Sequence, residues 1–205
     1  MRSYAITLAL AVFGAGMTST GGELMVMRGS NDDPHPGPIG ERPYEMVARS
    51  EPRVPLATFA DCSTWTVETR DTEAQLYRTS EQKLYRDTCG KLIYRATGPR
   101  PEITLRPAAP VPLVAAWDCV EFWNWGNVWS WAPRQDTPVL SASALFVDAN
   151  GEEHVVGLGS MPYEYWFLMH RKVAATIPGP AYFSGIRFTN GGNREDRTIY
   201  LGPVY

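Results

Sequence analysis

From Phe59 onward, apolar and polar residues alternate in short runs, a two-residue period that predicts strands rather than helices. The predicted strands are Trp65–Thr69, Ala74–Arg78, Lys91–Arg95, Ile103–Arg106, Val111–Ala115, Trp117–Trp125, Leu140–Asp148, His154–Gly157, Trp166–Val173, Tyr182–Asn190 and Thr198–Val204. Between the seventh and eighth, Asp148-Ala149-Asn150-Gly151 reads as a hairpin turn whose glycine takes the left-handed position. No window longer than about ten residues carries apolar side chains at i, i+3, i+4 and i+7 free of Pro or Gly, so no helix is predicted between strands. Many short strands without helices predict an all-β domain, a sandwich or barrel of antiparallel sheets.

The densest stretch of this pattern runs from Trp117 to Trp131 and holds five of the chain's 7 tryptophans. Alternation puts Trp117, Cys119, Glu121 and Trp123 on one face of a strand and Asp118, Val120, Phe122 and Asn124 on the other. Gly126-Asn127 follows, a pair that tolerates positive φ and suits a turn or bulge.

Before Phe59 the pattern is different. Met1-Arg2 precedes an apolar run from Ile6 to Phe13 and the small residues Gly14-Ala15-Gly16, which reads as a secretory signal peptide over residues 1–20. The run is too short to span a membrane, so no transmembrane segment is expected and the protein is expected to be secreted, periplasmic or at the cell surface. Residues 21–55 contain Asp33-Pro34-His35-Pro36-Gly37-Pro38, Arg42-Pro43, Glu51-Pro52 and Pro55, and read as a poorly ordered Pro-rich linker. Residues 56–205 remain for one β-sandwich domain, read as the N-terminal module of a longer polypeptide.

Composition narrows the function classes. The formal net charge is -3 and no Lys/Arg-rich run is present, so a nucleic-acid partner is not expected. Cys62, Cys89 and Cys119 lack metal-ligand spacing. Cys62 and Cys89 are the preferred pair if an exported chain forms a disulfide; three buried free thiols are the equal alternative. Trp and Tyr number 7 and 10, an excess that requires a large β core or a binding surface.

Flat rings beside amide and carboxylate groups suit a sugar, which offers a C–H face for stacking and rim hydroxyls for hydrogen bonds. Trp125, Trp129 and Trp131 beside Asn124 and Asn127 have that composition. A second group combines Tyr163 and Trp166 with His170 and Arg171. No catalytic residue is assigned. Asp118, Glu121, Asp148, Glu164 and Glu195 show no pairing for glycoside hydrolysis, and no nucleophile elbow, zinc-protease motif or phosphate loop occurs.

Four pieces between Tyr94 and Tyr205 carry a family resemblance. They are Pro107–Leu113 with Trp117–Asn127; Leu145–Gly151; Tyr165–Leu168; and Phe183–Phe188 with Thr198–Val204. In their order they are similar to the jelly-roll, galactose-binding-like domains of secreted bacterial polysaccharide-degrading enzymes. The resemblance implies an antiparallel β-sandwich of jelly-roll type that binds glycan without transforming it, partnered by a catalytic domain in the same polypeptide. It implies no certain cofactor and allows a structural calcium ion. The alternatives are a protein-interaction or structural sandwich of a surface assembly, and a jelly-roll glycoside hydrolase or polysaccharide lyase.

Overall fold

Eleven strands form at the predicted places in the computed structural model, which describes residues 54–82, 84, 87–113, 117–126, 138–173 and 177–205. They are β1 Trp65–Arg70, β2 Thr72–Thr79, β3 Cys89–Ala96, β4 Glu102–Pro107, β5 Val111–Pro112, β6 Cys119–Trp125, β7 Ser141–Val147, β8 Glu153–Ser160, β9 Trp166–Lys172, β10 Tyr182–Thr189 and β11 Arg197–Val204. A short 3-10 turn, Cys62–Thr64, precedes β1, with Asp61 accepting from the Ser63 N–H at its start. The predicted Val111–Ala115 strand is shorter than expected, only Val111–Pro112 pairing with β10. The signal peptide and all of the linker before Val54 lie outside the described residues.

The strands form two antiparallel sheets. One has the order β1-β4-β10-β7-β8, with β5 beside β10; the other has the order β2-β3-β11-β6-β9. β2–β3 and β7–β8 are consecutive in sequence, but other neighbours are distant in sequence, as β11 lies between β3 and β6. The β7–β8 turn matches its prediction: Gly151 has φ 80 and its N–H donates to the Asp148 carbonyl at 3.0 Å.

Alternation explains how the sheets pack. One face of each strand meets the other sheet, so Leu92, Tyr94, Val120, Phe122, Met169, Ile199 and Leu201 face Ile103, Leu105, Ala142, Phe146, Ile186 and Phe188 in one buried cluster. Phe122 and Phe188 meet between the sheets with ring centroids 6.4 Å apart. Trp65 stacks on Phe59 at 4.1 Å and Trp117 on Phe146 at 4.7 Å, which makes these two tryptophans part of the packing.

Of the two readings left open for the cysteines, the structure takes the one without a disulfide, for Cys62, Cys89 and Cys119 alike, and one expectation, for Gly126, is revised. Cys62 Sγ donates to the Phe59 carbonyl at 3.3 Å and Cys89 Sγ to the Gln82 carbonyl at 2.9 Å. Burial pushes the Cys62 thiol up to about 11 and the Cys89 thiol up to about 12, so both are inert at neutral pH. Gly126 is required for a different reason than the expected turn. A Cβ there would lie 2.5 Å from the Tyr163 carbonyl oxygen and 3.0 Å from that of Met161, so glycine permits close chain approach.

Candidate functional site

Strand β6 alternates half-buried and buried residues along its whole length, with Val120, Phe122 and Asn124 turned to the core. Its opposite face, carrying Cys119, Glu121, Trp123 and Trp125, is the outer face of the second sheet. Register then places a row of residues side by side across all five strands. Tyr77 on β2 pairs with Lys91 on β3, Lys91 with Tyr200 on β11, Tyr200 with Trp125 on β6, and Trp125 with Trp166 on β9. Residues paired across antiparallel strands share a face, so four aromatic side chains and one lysine form a band. At about 4.8 Å per strand step the band is roughly 19 Å long.

The rings in the band are held but not sealed. Trp125 meets Trp166 edge to face with centroids 6.1 Å apart and meets Tyr200 the same way at 6.5 Å. Trp125, Trp166 and Tyr200 are half-buried, and Tyr77 is 45% exposed. The polar end is closed by Glu81, which receives Lys91 Nζ at 2.7 Å and the Tyr200 hydroxyl at 2.9 Å. Bonds from Lys91, then from Tyr200, hold the Glu81 carboxyl below the usual carboxylate range. Burial first, and then the bond to Glu81, push the Tyr200 hydroxyl up to about 12. The positive charge of Lys91 is thus cancelled within the band.

Further along the same face, Trp123 lies beside Leu168 and Glu121 beside His170. His170 Nδ1 is 2.8 Å from Glu121 Oε1, so the carboxylate orients an exposed imidazole.

The sequence-predicted residues separate into distinct places. Trp125 and Trp166 come together in the band, and His170 stands on the same face. Asn124 and Tyr163 are buried instead. The Tyr163 hydroxyl donates to Asn124 Oδ1 at 2.6 Å, and Asn124 Nδ2 donates to the carbonyls of Phe122 at 3.2 Å and Phe167 at 3.4 Å. All the polar groups of Asn124 are spent inside the protein, and burial pushes the Tyr163 hydroxyl above its ordinary value. Arg171 stands on the other side of β9 from Trp166. Asn127, Trp129 and Trp131 lie outside the described residues. Sequence reasoning missed Tyr200, Lys91 and Tyr77. Alternation puts Tyr200 on a solvent face, but only the pairing of β11 with β6 brings it to Trp125.

Among the described residues, Asp148, Glu152 and His154 bring three ligand-type atoms within 4.8 Å of one another at the β7–β8 turn. Asp148 Oδ1 accepts the N–H groups of Asn150 at 2.8 Å and Glu152 at 3.0 Å, and Oδ2 lies 3.1 Å from His154 Nε2. The bond with His154, then that from Glu152, hold the Asp148 carboxyl below the usual range. Calcium takes six to eight oxygen ligands. A carboxylate already committed to the turn, one exposed glutamate and an imidazole nitrogen do not fit it.

No protein-family model matches the chain, and no curated protein matches its sequence. Solved structures do match in shape. A carbohydrate-binding module from work on the promiscuous specificity of modules of the beta-sandwich superfamily aligns with TM-score 0.51 and 13% identity, over 77% of this chain and 62% of its own. The present chain therefore spans less than two thirds of that structure. TmCBM61 in complex with beta-1,4-galactotriose aligns with TM-score 0.45 and 13% identity over 72% of this chain and 88% of its own. TmCBM27, described for specific mannan recognition, aligns with TM-score 0.44 and 9% identity over 74% and 92%. The fold is an antiparallel β-sandwich of the jelly-roll type found in carbohydrate-binding modules.

Proposed function

We propose that this protein binds glycan without transforming it, as an exported accessory domain of a polysaccharide-active enzyme. The observation that carries the reading is the band Tyr77–Lys91–Tyr200–Trp125–Trp166 across the outer face of the second sheet. Its length suits an oligosaccharide lying across the strands. The ring faces of Trp125, Trp166 and Tyr200 offer apolar surface for sugar C–H groups, and Glu81 and the Glu121–His170 pair offer acceptors and donors at the margins. With Lys91 neutralised by Glu81, the band favours uncharged sugars. Asn127, Trp129 and Trp131 follow β6 directly in sequence and are proposed to extend the contact. A shallow, partly wet surface of this kind gives affinities of roughly micromolar to millimolar. Among the described residues no helix is long and apolar enough to cross a membrane.

The test is a glycan-array and polysaccharide pull-down screen of the full chain, repeated with Trp125→Ala and Trp166→Ala. Binding to one neutral glycan class, lost in both variants while the circular dichroism spectrum is kept and no reducing ends are released, supports the reading. A folded protein that binds no glycan, or that binds equally well without these rings, refutes it.

A further inference from the structure

Strand β9 presents two different surfaces. Trp166, Leu168, His170 and Lys172 share the outer face with their β6 partners. The alternate positions Phe167, Met169 and Arg171 point the other way, toward the space between the sheets. Because β9 is the last strand of its sheet, the core ends beneath it. Met169 is buried there, while Phe167 is 42% exposed and Tyr165, just before the strand, is 43% exposed. Tyr163, Tyr165 and Phe167 form one ring cluster, with centroids 5.2 Å, 4.8 Å and 6.3 Å apart. Tyr163 anchors it through its bond to Asn124, so the two exposed rings stand on a rigid base.

The strand that ends the other sheet, β8, runs through Gly157-Leu158-Gly159 beside this edge. A side chain at Gly157 would meet nothing within 4 Å, and one at Gly159 would meet only a terminal guanidinium nitrogen of Arg171 at 4.0 Å. Among the described residues the Arg171 guanidinium is what stands beside β8 at Gly159. Arg70, Arg106 and Arg187 each hold a glutamate. The Arg171 guanidinium has no carboxylate or other hydrogen-bond partner among the described residues.

We infer that the β8–β9 seam is a second carbohydrate site, specific for an anionic sugar. A uronate carboxylate is held by the planar fork of Arg171, and a neighbouring sugar of the same oligosaccharide, roughly 13 Å further along β9, is laid against Phe167. The edge of β8 that pairs with no strand among the described residues offers backbone N–H and C=O groups beside Gly159 to the hydroxyls. Charge complementarity chooses the occupant: the outer band carries a cancelled cation and the seam an uncancelled one. The inference shares the carbohydrate reading for its class of ligand but uses a separate surface, so the two can fail independently.

The experiment is calorimetric titration of the full chain with tetragalacturonate and with a neutral tetrasaccharide chosen from the array screen. It is run on wild type, Arg171→Gln, Arg171→Lys, Phe167→Ala and Trp125→Ala. Tetragalacturonate is expected to bind wild type and Trp125→Ala alike, and to lose at least about tenfold in affinity with Arg171→Gln. Arg171→Lys, which keeps the charge but not the fork, falls between, and raised salt weakens the binding. Arg171→Gln leaves neutral-glycan binding unchanged. If Phe167→Ala fails to fold, the exposed Arg171 variants still decide the matter. The inference is overturned if folded wild type does not bind tetragalacturonate, if Arg171→Gln binds it as well as wild type does, or if Trp125→Ala abolishes it. Loss of neutral-glycan binding alone would refute the function of the outer band and leave the seam standing.

Discussion

The two sheets share one core but turn different chemistries to solvent. On the first sheet the outer face carries a continuous chain of opposite charges. Arg70 meets Glu102 at 2.9 Å, Glu102 meets Arg187 at 3.9 Å, Arg187 meets Glu153 at 2.6 Å, Glu153 meets Arg106 at 3.0 Å, and Arg106 meets Glu68 at 3.1 Å. Leu145, fully buried on that face, lies in register between the positions flanked by Arg187 and Glu153. Alternating signs pair these charged groups with one another within the protein, so they are not free to meet a ligand. The second sheet carries ion pairs too, Lys91 with Glu81 and Arg95 with Glu73, but sets half-buried rings beside them. Rings have no partner that saturates them, and apolar area remains for a ligand to cover. A sandwich can thus spend one outer face on solubility and keep the other for recognition.

The sharpest way to break this contrast is to remove one ring and one charge in parallel. Trp125→Ala is expected to cost at least about 2 kcal/mol of glycan binding, roughly thirtyfold in Kd, by titration calorimetry. Arg187→Ala on the opposite face is expected to leave Kd unchanged; equal losses from both would erase the distinction. A smaller effect separates the two sides of β6. Tyr163→Phe leaves Asn124 Oδ1 buried without its donor, and is expected to lower unfolding stability by about 2 kcal/mol in urea while glycan affinity stays the same. A fall in affinity with unchanged stability would instead put Tyr163 in contact with the ligand.

The charged face is expected to respond weakly, and mainly to acid and salt. Glu153→Gln breaks contacts to Arg106 and Arg187 that are partly screened by solvent, so the loss of stability should be about 1 kcal/mol or less and smaller still at high salt. Burial opposes the Glu153 charge, but hydrogen bonds from Arg106 and Arg187 outweigh it and hold the carboxyl below its ordinary value. A depressed folded-state pKa means the contribution is complete above the unfolded carboxylate range and disappears as pH falls through the folded value. Wild type should therefore lose this increment below about pH 4, whereas Glu153→Gln should show a flatter acid limb in thermal melts. An acid limb identical in the two proteins would show that this network does not stabilise the fold.

The strands were legible because alternation is a local property. Each of the eleven predicted runs forms a strand, and Gly151 takes the positive φ that its turn needs. The two faces of β6 were legible for the same reason, with Val120, Phe122 and Asn124 on one side. The direction of each face was not. Asn124 has the composition of a sugar ligand, yet Tyr163, thirty-nine positions away, consumes it in the core.

What the sequence determined by itself is the period of each strand, the turn between β7 and β8, and the surplus of aromatic side chains. What the tertiary structure decided is which of those rings are packing and which are surface. Trp65 and Trp117 stack into the core, while Trp125 and Trp166 stand in the outer band. The physical reason is that backbone sterics set the alternation one residue at a time. The order β2-β3-β11-β6-β9, by contrast, comes from burying all the apolar faces at once. Only that order sets Tyr77, Lys91, Tyr200, Trp125 and Trp166 in one line, and only the packing of the two sheets brings the Arg171 guanidinium beside Gly159.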